Sequence, residues 1–283
     1  MANRNAGSIV GFALTANGNI APTVTIAGSS TQLNTPVALA VDTFGRLYTA
    51  NDFETTFEIF APGSNGNVAP AAMLGGSITQ IGQTDDVAID HSGLIYVSNP
   101  DLNSIVVFAG GATGNLAPIR VIAGSLTTLN KPDAMAFDAN NNLYVGEYAP
   151  AVVEFAAGAN GNVAPIATVN GQSYFQNASN AVAVDSTGRI IVGNYCSPGG
   201  VAIFAAGANG NATPAQVIAG PNTGTGCVSG LAVDSSDNIY VTSIGPPDTI
   251  SVFPSTANGN VSPVRQITGS NTTLHTPFHL VIH

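Results

Sequence analysis

The chain has 283 residues, 45% of them hydrophobic and 8% charged. That is ample material for a core, with no run near the ~18–20 apolar residues of a membrane-spanning helix. A formal charge of −10, with six Lys and Arg against sixteen Asp and Glu, argues against nucleic acid. Arg4, Arg46, Arg120, Lys131, Arg189 and Arg265 are scattered rather than gathered in the basic stripe a phosphate backbone needs.

A single pattern returns along the whole chain. Gly-Asn-x-(Ala/Ser/Thr)-Pro ends at Pro22, Pro70, Pro118, Pro165, Pro214 and Pro263, in steps of 48, 48, 47, 49 and 49 residues. A period of this size built from short β segments predicts a propeller or a solenoid. In chain order, Met1–Asn3 and Ser8–Phe12 read as strands, and the first full unit then spans residues 36–75. Pro36–Asp42 alternates like a buried strand, and Asp42–Gly45 is a tight turn. Arg46–Asn51 is a second strand, Phe57–Phe60 a third, and a fourth starts near Pro70, where proline suits an edge. Later units place Gly93, Asn141, Gly188 and Asp237 at the turn position of Gly45, all residues that reach a left-handed backbone at low cost. Third strands end in Phe12, Phe60, Phe108, Phe155, Phe204 and Phe253. Second strands carry Tyr48, Tyr96, Tyr144 and Tyr240, with Ile191 in one unit. Aromatic columns at fixed phase are core between neighbouring blades.

The last unit stops at Pro277–His283, in phase with Pro36–Asp42, while Met1–Asn3 is in phase with Thr49–Asn51. The expected fold is therefore all-β: one domain, residues 1–283, forming a six-bladed β-propeller of four-stranded antiparallel blades. Its sixth blade takes its inner strand from the C-terminus and its outer strands from the N-terminus. About six residues of the repeat have no counterpart at that seam. A stunted second strand, a chain cut from a longer parent, or a neighbouring molecule filling the gap would each account for this.

The unit P-x-x-(L/V)-A-(V/I/F)-D-x-x-(G/N)-x-(L/I)-Y-V-x-N…(I/V)-x-(V/I)-F resembles the NHL repeat and is similar to the related YWTD and gluconolactonase-like propellers. The resemblance covers essentially the whole chain and specifies architecture rather than activity. It implies that the loops from second to third strand and the crossovers between blades share one face. On that assumption Asp42, Asp90, Asp138, Asp185 and Asp234 are turn-formers on the opposite face. Asp52, Glu54, Asp85, Asp86, Asp101, Asp133, Glu147 and Asp248 gather on the crossover face and focus a negative potential there.

Two columns line the channel mouth on that face. One begins the inner strands, with Asp85, Asp86, Asp133, Asn180 and His279. The other ends the second strands, with Asn3, Asn51, Asn99, Glu147, Asn194 and Ser243. Asp85, Asp86, Asp133, Glu147, Asn194 and His279 are the candidate ligand-binding set. Gluconolactonase-like propellers hold a metal in this place, which makes Glu147, Asn194, Asp86 and Asp133 the counterparts for a hard cation such as Ca²⁺. The competing reading has the Asn column capping loops. A lyase pairing of His279 with Glu147 is the remaining catalytic option, and no catalytic residue is assigned. Cys196 and Cys227, the only cysteines, fall on the same face of adjacent blades; a disulfide between them would imply an oxidising compartment, and two unpaired thiols are the alternative.

Function is expected to be that of a non-enzymatic ligand- or protein-binding module working through the acidic crossover face. The partner is a protein or small molecule, with neither nucleic acid nor membrane insertion. A metal-dependent lactonase-like hydrolase or lyase is one alternative, and a self-assembling surface or filament subunit joined through the seam is another. The Gly/Asn/Thr-rich, Lys-poor composition is common among exported bacterial repeat proteins. It suggests an extracellular, periplasmic or cell-surface location, with any secretory signal absent from residues 1–283.

Overall fold

A computed structural model describes residues 1–148, 151–170, 174, 181–196 and 199–283. It is a ring of six antiparallel blades. Blade 1 comprises strands Pro36–Val41, Leu47–Asn51, Thr56–Phe60 and Ala72–Gly75, running from the channel outwards. Blades 2 to 5 repeat this plan from Val87–Ile89 to Arg120–Ala123, from Pro132–Phe137 to Ala167–Asn170, from Ala181–Val184 to Gln216–Ile218 and from Cys227–Val233 to Arg265–Thr268. The proline of each repeat precedes the outer strand by a residue or more instead of opening it, so no outer-strand donor is lost.

The sixth blade closes between the chain ends. Ala2–Asn3, Ser8–Gly11 and Val24–Ala27 form its three outer strands. The C-terminal segment takes the inner position: the Ala2 N–H donates to the His279 carbonyl at 2.8 Å, and Phe278 N–H donates to Ala2 at 2.9 Å. The second strand of this blade is stunted, two residues long where other blades have four to six.

Local chemistry makes each turn. Asp42 Oδ1 accepts from the N–H groups of Phe44 and Arg46, and Asp90, Asp138, Asp185 and Asp234 each do the same two and four residues on. Gly45, Gly93, Asn141, Gly188 and Asp237 all have φ between 60° and 83°, the conformation that the turn demands. The aromatic columns are core: Phe60, Phe108, Phe155, Phe204 and Phe253 are fully buried, and Tyr48, Tyr96, Tyr144 and Tyr240 nearly so. Only Phe12, at the seam, is half-buried.

The Gly-Asn-x-x-Pro loop has a role beyond turning the chain. Its glycine N–H reaches back to the outer strand of the preceding blade: Gly66 to Thr25, Gly114 to Met73, Gly161 to Val121, Gly210 to Thr168, Gly259 to Val217 and Gly18 to Gln266, all at 2.6–2.7 Å. The asparagine after it accepts from the loop beyond that strand, as Asn67 does from Ser30 and Asn115 from Ile78. These contacts cover part of an otherwise bare sheet edge and staple each blade to its neighbour. They also fix one glycine in each of five repeats. A Cβ on Gly76, at φ 130°, would lie 2.5 Å from Asn115 Cγ, and Gly28, Gly124, Gly220 and Gly269 face the same conflict.

Candidate functional site

The inner strands reach the crossover face through an irregularity. Register shifts between Pro36 and Ala38, between Pro132 and Met135, and between Val228 and Gly230 leave Val37, Asp133 with Ala134, and Ser229 without a partner in the ladder. Such bulges re-aim side chains, and Asp133 sits inside one. Asp85 and Asp86 stand just before the shortened inner strand of blade 2. The result is a mouth cavity of about 790 Å³ lined by Asp52, Asp85, Asp101 and Asp133, by Arg4 and Lys131, and by Phe53, Tyr148, Tyr195 and Phe278 among others. This volume lies within the ordinary range of ligand pockets.

Its electrostatics are unbalanced. The Arg4 guanidinium pairs with Asp52 and lies over the Phe278 ring, and the Lys131 ammonium lies over Tyr148. Asp85 and Asp133 form no ion pair among the described residues. Burial pushes the Asp85 carboxyl up to about 6, reinforced by Asp52, Asp86 and Asp101, with Arg4 opposing. Burial, then the charges of Asp85 and Asp86, hold Asp133 well above the usual carboxylate range. Asp133 is 4% exposed, and its carboxylate takes no hydrogen bond from a described residue.

Asp86 lies deeper. Its oxygens accept from the N–H groups of Val87 and, in the next blade, Met135, both at 2.8 Å, and His279 Nε2 stands 3.3 Å from Oδ1. Burial raises this carboxyl to about 6 against the pull of His279 and the two amides. The other imidazole nitrogen, Nδ1, is 3.0 Å from the Leu39 carbonyl. His279 is therefore committed to Asp86 and Leu39. This replaces the pairing with Glu147 considered from the sequence, because the two residues belong to different columns with different partners.

In the second column Asn3, Asn51, Asn99 and Glu147 hold loop backbone, while the buried Ser243 Oγ has no partner among the described residues. Asn51 Oδ1 accepts from Asn34 and Thr35, Asn99 Oδ1 from Gly82, Asn3 Oδ1 from His275, and Glu147 Oε1 from Asn130. The amides of Asn51, Asn99 and Asn3 donate to Gln32, Gln80 and Thr273. Each residue thus ties the crossover loop to its blade. Burial raises the Glu147 carboxyl to about 7, with the Asn130 amide opposing. Asn194 Nδ2 donates to the Tyr174 carbonyl, while its buried Oδ1 has no partner among the described residues. Asn180 lies outside the described residues.

The set Glu147, Asn194, Asp86 and Asp133 therefore divides between loop caps and the mouth. Among the described residues no three His, Cys, Asp or Glu side chains gather as a metal centre requires. Cys196, on the cavity wall, is disulfide-bonded to Cys227 at the start of blade 5. Sequence reasoning missed the aromatic rim. Phe53 and Tyr148 are 71% and 50% exposed, which is unusual for large rings and marks them as available for contact. Their signal was an aromatic one or two residues beyond the second-strand column, in loops of no fixed pattern.

The class these features define is a six-bladed β-propeller, with a cavity lined in part by Asp52, Asp85, Asp101 and Asp133 and by the rings of Phe53 and Tyr148. No family model and no curated protein matches the chain.

Proposed function

We propose that the protein is a non-enzymatic binding module of NHL-like type that works outside the cytoplasm and seats a positively charged group of its ligand or protein partner in the crossover mouth. The observation that carries this reading is the pair Asp85 and Asp133. Both are carboxylates on the wall of the 790 Å³ cavity with no ion-pair partner among the described residues, and Asp133 is almost wholly buried. Placing such groups together costs folding free energy that an incoming cation would return, so the arrangement favours a cationic ligand over a neutral one. The exposed rings of Phe53 and Tyr148 can flank that cation. The commitment of His279 to Asp86 and Leu39 weighs against a proton-transfer role. The Cys196–Cys227 bond supports an oxidising compartment.

The test is a thermal-shift and calorimetric titration with lysine- and arginine-bearing peptides, organic ammonium ions and CaCl₂. Binding by the organic cations should weaken at least tenfold in Asp133→Asn and fall as salt rises. Absence of binding across the organic set, or stabilisation by CaCl₂ alone that a chelator reverses, would reject the reading.

A further inference from the structure

The described lining of the mouth holds more negative charge than it neutralises. Asp52, Asp85, Asp101 and Asp133 line the cavity against two cations, Arg4 and Lys131. Arg4 is committed to Asp52, and neither Lys131 nor the other three carboxylates form an ion pair among the described residues. With all four acids ionised, four charges against two leave an excess of two negative charges. The three unpaired acids stand at three depths. Asp133 is buried and accepts no hydrogen bond from a described residue, Asp85 is half-buried, and Asp101, in the short 3₁₀ turn Pro100–Leu102, is exposed. The wall they share is aromatic. Phe53, Tyr148, Tyr195 and Phe278 line it, and Gln83 supplies the one amide side chain among the described lining residues.

We propose that the ligand of the mouth is a linear aliphatic diamine or polyamine that enters lengthwise, with one ammonium group at Asp133 and Asp85, a second at Asp101, and its methylene chain along Phe53 and Tyr148. This rests on the reading of the mouth as a cation site, and adds the number of charges and what joins them. Two ammonium groups match the excess of two. A monoamine leaves one carboxylate uncompensated in a cavity where burial makes that costly. A chain is required because the acids differ in depth. A compact dication such as Ca²⁺ concentrates its charge at one point, and no three acid or imidazole side chains gather at one point among the described residues. The spacer is methylene because aromatic faces receive it: rings flank cations and cover apolar surface, and offer little to the amides of a peptide or the hydroxyls of a sugar. In the free protein protons meet the crowding instead. Burial, and then the charges of Asp52, Asp86 and Asp101, raise Asp85, and burial with Asp85 and Asp86 raises Asp133. The entering dication takes the place of those protons, which pass to solvent.

The test titrates the 283-residue chain by calorimetry with the straight-chain diamines from propane-1,3-diamine to octane-1,8-diamine, with pentylamine, with a capped lysine peptide and with CaCl₂. One member of the series should bind with a single site per chain and more tightly than pentylamine by about fivefold, the upper range for one exposed ion pair. Asp101→Asn, in an exposed turn, should bring the two amines within about twofold of each other. Asp133→Asn should weaken both at least tenfold. If pentylamine equals every diamine, or if the diamine keeps its advantage in Asp101→Asn, the proposal is overturned while the mouth remains a cation site. Tighter binding of the lysine peptide or of CaCl₂ than of any diamine overturns it as well, by giving the mouth to a protein segment or a metal ion. If no amine binds, the reading of the mouth itself fails, and this proposal with it.

Discussion

Glu58 lies in the third strand of blade 1, between Thr49 and Met73, and is 1% exposed. Its Oε1 accepts a long hydrogen bond of 3.4 Å from Asn51 Nδ2, and Oε2 has no partner among the described residues. Burial, with a further contribution from the Glu54 charge, pushes the carboxyl from its ordinary 4.5 up to about 8. That displacement corresponds to roughly 5 kcal/mol. Below pH 4.5 the group is protonated in both folded and unfolded chains, and its favourable contribution is fully present. Between pH 4.5 and 8 the unfolded chain releases the proton while the folded one keeps it, so stability falls; above 8 the loss is complete. Glu58→Gln keeps the shape and one acceptor but cannot ionise. Urea unfolding from pH 4 to pH 9 should therefore show the variant within about 1 kcal/mol of the parent at pH 4. At pH 9 it should lead by several kcal/mol, ~5 being the ceiling set by the shift. A difference that stays constant across this range would refute the reasoning, since only ionisation of Glu58 makes it depend on pH.

Gly76→Ala should cost about 2–4 kcal/mol, because the new Cβ meets Asn115 at 2.5 Å in a φ 130° backbone; adding Asn115→Ala should recover part of that loss in thermal unfolding. Asp185→Ala removes the acceptor for Thr187 and Arg189, including an ion pair at 2.5 Å, and should cost about 2–4 kcal/mol at pH 7. Burial alone would raise this carboxyl, but hydrogen bonds from Thr187 and Arg189 outweigh it and hold it low, so the cost should shrink as pH falls through the acid range. Reducing the Cys196–Cys227 bond, which closes a separation of 31 residues, should lower stability by roughly 3–4 kcal/mol; an unchanged urea midpoint after dithiothreitol would show that the bond adds nothing.

What the sequence made legible is what is local or periodic. The turn aspartates could be read because Asp42 bonds two and four residues ahead, within one window. Closure could be read because phase survives at both chain ends. The mouth was legible only as a face. Nothing near Asn51 announces that its partners lie seventeen and sixteen residues back at Asn34 and Thr35, so a loop cap and a metal ligand looked alike. The same holds for Asn67, whose partner Ser30 belongs to the preceding blade, and for His279, which meets Asp86 from across the chain. Bulges at the inner strands were hidden because a ladder slip leaves no mark in residue type, and they decide which way Asp133 faces.

The two faces of the ring use the same residue type to opposite effect. On the turn face burial would raise Asp42, Asp185 and Asp234, but hydrogen bonds from the turn amides and from neighbouring side chains outweigh it and hold all three low, so their contribution is present at neutral pH and lost in acid. At the mouth, burial and neighbouring carboxylates hold Asp85 and Asp133 high, and burial alone raises Asp86 and Glu147. For Asp85, Asp86 and Glu147 that contribution is fully present below the ordinary carboxylate range and is lost as pH rises through about 6 to 7, and for Asp133 it is likewise lost as pH rises. The free propeller should accordingly melt at a higher temperature near pH 5 than near pH 8. Asp85→Asn combined with Asp133→Asn should flatten that slope without changing the fold, read by circular dichroism. A cation that enters the mouth should act the same way, favouring the ionised carboxylates and stabilising the protein more at pH 8 than at pH 5. A parent protein that melts equally at both pH values, or the double variant with an unaltered slope, would show that the mouth acids are solvated charges with no stake in a ligand.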